Sequence, residues 1–273
     1  MRITEKNPFE CMEPTPVLLG EHHPLSTAEG VDNFSVQVRR TEEALMQAHR
    51  SGNFEVTHLR YPIVYGPHQI AAPEWGLVRR AREGRRRVIL PGSGMTLLSR
   101  GYGDNMVHAL MLAIDHPREA SGQIFNVADD RILYNREWVE IVSDALGVQF
   151  EIVDIPFDML PHGFRAAPPQ LLYRHHCVMD TGKLRSLLGY RDVVPAEEAL
   201  QRTVEWYLAN PLPPNGEIEK NIGDPYDYAY EDALIDIYRS HRDAALREMN
   251  ARPAVDVVWR HPYPHPKKRG DIR

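Results

Sequence analysis

Residues 59–67 read Leu-Arg-Tyr-Pro-Ile-Val-Tyr-Gly-Pro, and no other stretch constrains the fold as much. Residues 54–64 are rich in β-branched and aromatic side chains and predict a buried strand, and Pro67 and Pro73 then mark a loop. A buried strand needs sheet neighbours and covering helices, and the flanking sequence supplies both in alternation. Phe34, Val38, Leu45 and Ala48 recur at roughly helical spacing over residues 34–50, with Asp32 or Asn33 as the cap and Gly52-Asn53 as the stop. Residues 75–83 predict a helix stopped by Gly84. Residues 88–90 predict a short strand running into Pro91-Gly92-Ser93-Gly94, read as a hairpin turn.

Asp104 or Asn105 begins the next predicted helix, with Val107, Leu110, Met111 and Ile114 on one face. Strands are expected at 123–128 and 150–155, and Asn135 is expected to cap a helix that Gly147 closes. Thr181 caps a short helix ending at Leu188-Gly189, and Pro195 opens the last core helix, to about residue 208. Residues 1–33 and 156–176 are proline-broken and read as irregular. Strands alternating with helices predict an α/β architecture.

The chain has 273 residues, enough for one large domain or two small ones. A net charge of −6 gives no reason to expect a polyanion, so no nucleic-acid partner is predicted. Cys11 and Cys177 lie far apart and lack metal spacing, which points to a reducing compartment without a disulfide framework. No apolar run has the length of a membrane span, and nothing at Met1-Arg2 reads as a signal peptide, so the cytoplasm is the expected location. His22-His23 and His175-His176 lack a second ligand set, and no metal site is predicted. Composition changes beyond Pro211, dividing residues 1–210 from a C-terminal extension, 211–273. Within it, 230–250 is an amphipathic helix with Leu234, Ile237, Tyr238, Leu246 and Met249 toward one side, and the segment from His261 to Arg269 reads as extended or disordered.

Several landmarks over residues 14–210 occur in an order that resembles the extended short-chain dehydrogenase/reductase family, the NAD-dependent epimerases, dehydratases and reductases. Residues 16–21 and Pro24-Leu25 resemble the loop before that family's catalytic helix, and Glu42 its helix glutamate. Residues 59–67 resemble its late core strand. Tyr102-Gly103-Asp104-Asn105 resembles the helix start of its substrate half, and residues 122–127 its Gly…Tyr-Asn-Val strand. Residues 180–190, Pro195 and Trp206-Tyr207 resemble its C-terminal helix pair. Each motif is weak alone; joint order and spacing carry the resemblance.

The resemblance implies a partial Rossmann-like domain lacking its N-terminal βαβ units of about 30 residues each, with a helical C-terminal tail. It implies NAD or NADP as cofactor, a nucleotide sugar or other small molecule as substrate, and leaves a homodimer open. Without the N-terminal units, Leu59–Val64 and 124–127 are expected to lack sheet neighbours, so either the protein extends upstream or something else covers that edge. The family's hydride chemistry uses a tyrosine and a lysine four residues apart on one helix face, the lysine lowering the phenol's pKa. Aligned on Glu42, those positions are Phe34 and Val38, which have no proton to exchange and no charge. Ser26, Thr4 and Thr15 make no convincing catalytic hydroxyl. Gly92-Ser93-Gly94 has no strand–helix context for a pyrophosphate.

Among site candidates, Tyr65 and His68 just past the strand are the remaining acid–base groups, with Tyr65 mainly structural. The resemblance places Tyr61 and Pro62 toward the cofactor. It places Ile63, Arg79 and Arg86 toward the substrate, and Ile63 stands where sugar-nucleotide members often carry asparagine. Arg79, Arg80, Arg82, Arg85, Arg86 and Arg87 resemble in position the family's helix near the substrate diphosphate, but a solvated helix face is the safer reading. Arg60 reads as structural. The functional expectation is a family member inactive in hydride transfer as this chain. The alternative is a non-catalytic scaffold or interaction protein on a degenerate dehydrogenase fold.

Overall fold

The structure, a computed structural model, describes residues 16–24, 33–161, 164, 171 and 173–252, without the side chains of 33–35. The expectations for Asp32, for Cys11, Ser26, Thr4 and Thr15, and for the segment from His261 lie outside these residues. Two compact units divide the chain, Met1–Asp232 and Ala233–Arg273.

In the first unit, helix α1 (Asn33–Arg50) leads to strands β1 (His58–Arg60) and β2 (Ile63–Tyr65), helix α2 (Pro73–Arg82) and β3 (Arg87–Ile89). Strands β4 (Leu97–Leu98) and β5 (Arg100–Tyr102) run into helix α3 (Gly103–Asp115), the short α4 (Pro117–Ala120) and β6 (Ile124–Asn126). Then come β7 (Leu133–Tyr134), α5 (Asn135–Ala145), β8 (Glu151–Val153), α6 (Gly182–Leu188), α7 (Ala196–Ala209) and α8 (Glu217–Ile222). Helix α9 spans Tyr228–Asn250, so its body forms the described part of the second unit. No helix among the described residues is long and apolar enough to cross a membrane.

The strand expected over 54–64 is two strands with different partners. β1 pairs in parallel with β6, Leu59 opposite Phe125, while β2 pairs in parallel with β5, Val64 opposite Gly101. Pro62 lies at the break; it has no N–H to donate, so a single ladder cannot run through it. β3 pairs in parallel with β8, and β4 antiparallel with β7. Because β3 and β4 do not pair with each other, Pro91–Gly94 is a 3₁₀ connector and not a hairpin turn. Its Gly92 and Ser93 are left-handed, and the Ser93 hydroxyl donates to Asp154 at 2.6 Å.

The expectation that β1 and β6 lack neighbours is also corrected, since they neighbour each other. The far side of β6 is closed by side chains. Glu21 accepts from the Asn126 N–H at 2.9 Å, and the Lys183 ammonium donates to the Ile124 carbonyl at 2.9 Å. Each satisfies a backbone group that a further strand would use.

Helix ends follow the sequence with two changes of cap. Asn135 is the first residue inside α5 rather than its cap. Glu137 reaches back to the Tyr134 N–H at 2.9 Å, which frees the Asn135 side chain for another task. At α6, Asp180 rather than Thr181 accepts from the Gly182 N–H, at 2.8 Å, and Gly189 ends the helix with a left-handed φ of 69°.

Trp75, Leu77 and Val78 of α2, Trp138, Val139 and Val142 of α5, and Leu200, Val204 and Tyr207 of α7 share one core. Ala109 and Ala113 of α3, Phe125, Val127, Leu184, Leu188 and Tyr190 form a second. Arg60 ties α1 to β1 by a two-pronged contact with Glu42, 2.9 and 2.6 Å, joined by His58 at 3.1 Å.

The arginine cluster is a solvated face only at Arg82 and Arg86. Arg80 is fully buried, its guanidinium held between Asp224 and, at 2.5 Å, Glu231. Arg85 meets Glu231 and Asp232 at 3.0 and 2.7 Å, Arg87 meets Asp232 at 3.1 Å, and Arg79 meets Glu219 at 2.7 Å. Buried charges persist only when paired, so Arg80 pins residues 224–231 to α2. Replacing it with an apolar side chain strands two buried carboxylates. Arg80→Met is expected to lower unfolding stability by about 3–5 kcal/mol in a denaturant titration, while the exposed Arg86→Ala changes it little.

Candidate functional site

Tyr61, Pro62, Ile63, Tyr65 and His68 lie along β2 and at its two ends, and the other predicted site residues lie on α1 and on or just after α2. Phe34 lies in α1 with its side chain outside the description, and Val38, on the same helix, is 44% exposed. Tyr61 is exposed, its hydroxyl 3.5 Å from the Met106 carbonyl, and Pro62 and Ile63 are half-buried at the strand break. His68 is exposed, in a left-handed turn, with its ring 4.7 Å from that of Trp206. Arg79 is occupied by Glu83 and Glu219 and lies over the Tyr226 ring at 3.9 Å. Arg86 donates to the carbonyls of Ala81 and Arg85, capping the end of α2. The structure therefore does not gather these residues into one cleft.

Tyr65 alone points into a polar centre, one the sequence did not disclose. It is 2% exposed, its hydroxyl donates to Asp129, and burial together with that carboxylate drives its pKa well above the usual phenol value. Asp129 also accepts from the Tyr102 N–H at 3.0 Å and from the Asn105 side chain at 2.8 Å, and burial raises its pKa despite these donors. Asn105 is saturated. Its amide donates to Asp129 and to the Val194 carbonyl at 2.9 Å, and its oxygen accepts from the N–H groups of Val193 and Val194, both at 3.0 Å. Beside it the Asp130 N–H donates to the Asp192 carboxylate at 2.7 Å and the Asp192 N–H to the Asp130 carboxylate at 3.1 Å. Burial lifts Asp192 to about 6.

On the other side of Tyr65 stand two charges that do not touch. Arg100 of β5 is buried, donates to Asn135 at 2.6 Å, and lies over the Trp138 ring at 5.3 Å; among the described residues its second terminal nitrogen has no hydrogen-bond partner. Glu74, in the first turn of α2, is completely buried, and among the described residues neither carboxylate oxygen meets a partner from another residue. Burial pushes Glu74 up to about 7 and, against the pull of Glu74, Arg100 down to about 10. A small cavity lined by Tyr65, Arg100, Asp129, Trp138 and Ala196 opens toward Arg131. Such a centre can hold a proton or a water; with its phenol and guanidinium buried it offers no nucleophile to solvent. Sequence offered one signal for it, the Asp129-Asp130 pair directly after a core strand, where the cleft of an open α/β sheet lies. Nothing local marked Glu74 or Arg100 as buried.

These observations define a Rossmann-type α/β chain whose strand-end polar residues form a structural node. Residues 24–128 match the NAD dependent epimerase/dehydratase family. The chain is 29% identical over 209 residues to the uncharacterized protein y4nL of Sinorhizobium fredii, covering 70% of this chain and 57% of that one. It is 26% identical over 190 residues to the dTDP-glucose 4,6-dehydratase of Streptomyces antibioticus, covering 70% of this chain and 52% of the relative. The UDP-glucuronic acid 4-epimerase of Bacillus cereus, solved with UDP-glucuronic acid and NAD, superposes with a TM-score of 0.54 at 17% identity, covering 72% and 58% of the two chains. The chain thus spans about half the length of the curated relatives it matches. In sequence and in fold it is similar to the extended short-chain dehydrogenase/reductase family.

Two outcomes follow from the geometry. The folded-state value of Glu74, about 7, exceeds its ordinary 4.5, so the native state holds a proton that the unfolded chain releases. Stability from that proton is complete below about pH 4.5 and is lost as pH rises through about 7, by up to roughly 3 kcal/mol. Glu74→Gln should flatten this part of the stability–pH curve; an unchanged slope would place the proton elsewhere. Asn105→Asp keeps the acceptor for Val193 and Val194 but turns an oxygen toward Asp129 and the Val194 carbonyl. Its thermal midpoint should fall at neutral pH, for a loss of about 2–4 kcal/mol, and recover in part in acid.

Proposed function

We propose that this chain is a portion of an NAD(P)-dependent epimerase, dehydratase or reductase acting on a small molecule or nucleotide sugar, and that by itself it does not transfer hydride. The observation that carries the second half is the pair Phe34 and Val38. Phenylalanine cannot exchange a proton, and an exposed valine has no charge with which to hold a nicotinamide ribose or stabilise a phenolate. The arginines that could have met a substrate diphosphate support the same reading, because Arg79, Arg80, Arg85 and Arg87 are already neutralised by carboxylates. Of the two remaining acid–base candidates, His68 is the one that solvent reaches. A soluble cytoplasmic location accords with this reading, as does a homodimer in which another chain supplies missing groups.

The test is turnover by the purified chain with NAD and NADP, each against a panel of nucleotide sugars and small carbonyl compounds. The expected outcome is no cofactor-dependent conversion. Turnover at about 1 s⁻¹ or faster, within the ordinary enzyme range, and lost in His68→Ala, would overturn the proposal and make His68 the acid–base group.

A further inference from the structure

Helix α3 has one more apolar face than the fold uses. Met106, Ala109 and Ala113 are buried against the core. On the opposite side Val107, Leu110, Met111 and Ile114 are 57, 43, 45 and 58% exposed. At 100° per residue these four fall within an arc of about 100°. The outward positions of α7 show the usual alternative, Glu198 and Arg202 paired in solvent. Scattered exposed apolar residues need no explanation, but a contiguous stripe on a helix marks a contact surface.

Charge around the stripe selects among occupants. Asp104 and Asp115 are both exposed and lie on the same flank, eleven residues and roughly 16 Å apart along the axis. No described cation is paired with either. A second copy packed antiparallel would set Asp104 against the partner's Asp115, and one packed parallel would leave all four carboxylates uncompensated. An anionic lipid surface would be repelled by the same flank. A helix with its own apolar stripe and basic residues about three turns apart on one edge satisfies both features at once.

We propose that the outer face of α3 is a docking surface for an amphipathic, basic-edged helix of a partner protein. The surface is separate from the polar centre at Tyr65 and does not rest on the hydride-transfer reading.

The experiment uses the full chain and two fluorescent synthetic peptides with one Leu/Ile stripe at i, i+3, i+4 and i+7, one edged with Lys and Arg, the other with Glu. The basic peptide should bind at least about tenfold tighter in anisotropy titrations, and the margin should narrow as salt rises. Leu110→Glu with Ile114→Glu should abolish binding, and Asp104→Lys with Asp115→Lys should reverse the preference. Circular dichroism confirms folding, and Met111→Lys serves if the double variant does not fold. Equal binding of both peptides, or binding indifferent to these substitutions, overturns the proposal. Self-association that Leu110→Glu removes assigns the face to a second copy. Binding to phosphatidylserine vesicles assigns it to lipid. Protection of Met111 from oxidation in the free chain assigns it to another segment of the chain; each of these outcomes also overturns it.

Discussion

The Asn105 side chain is the contact on which the first unit most depends. Four hydrogen bonds leave one buried carboxamide, and they join the start of α3, the loop after β6 and the loop before α7. An asparagine serves because it offers donor and acceptor on one small planar group. A carboxylate would face Asp129, and an apolar residue would leave two backbone N–H groups and one carbonyl buried without partners, at about 1–3 kcal/mol each. Asp129 extends the node to Tyr65 and to the Tyr102 backbone, so the ends of β2 and β5 are fixed by the group that fixes α3. Residues that resemble a family's substrate-half motif thus have here an explanation in satisfied hydrogen bonds.

Edges explain much of the rest. Parallel strands leave regularly spaced N–H and C=O groups on their outer side, and a short sheet must close them. At β6 the closure is by side chains, with Glu21 as acceptor and Lys183 as donor. At β1 the Glu42–Arg60–His58 group holds α1 against the strand, and Arg60 also donates to the Glu21 carbonyl at 3.0 Å. Glu21 therefore serves both strands, its carboxylate on β6 and its backbone on β1.

Sequence disclosed the helices well because their ends are written in local chemistry. Gly84 follows α2, Gly189 ends α6 and Pro195 precedes α7, whereas Pro73 opens α2 where a loop was expected and the short α4 and α8 were not foreseen. Strands were legible only in part: runs such as Val88-Ile89 and Ile124-Phe125 disclosed theirs, while the short β4, β5 and β7 were not foreseen. Pairing was not: Pro62 marks a break in the run 58–65, but nothing there says which strand each half joins. The arginine run was misread for a related reason. Sequence shows six positive charges but not the carboxylates near residues 219–232 that meet four of them, more than a hundred positions later. The candidate centre suffered most, because Glu74 looks like an ordinary first-turn acid until α7 and β5 close over it.

Glu74 and Arg100 show why a buried centre of this kind is not by itself an active site. Opposite charges in a low-dielectric interior attract strongly, yet this pair does not meet, and each group's pKa moves toward its neutral form. Desolvation outweighs their attraction because neither gains enough hydrogen bonds to replace water. A catalytic acid with a pKa near neutrality needs a route to the reacting atom as well. Glu74 has the pKa without the access, and His68 has the access without a carboxylate or phenol among its described contacts. The two requirements are met in different places, and among the described residues no contact joins them.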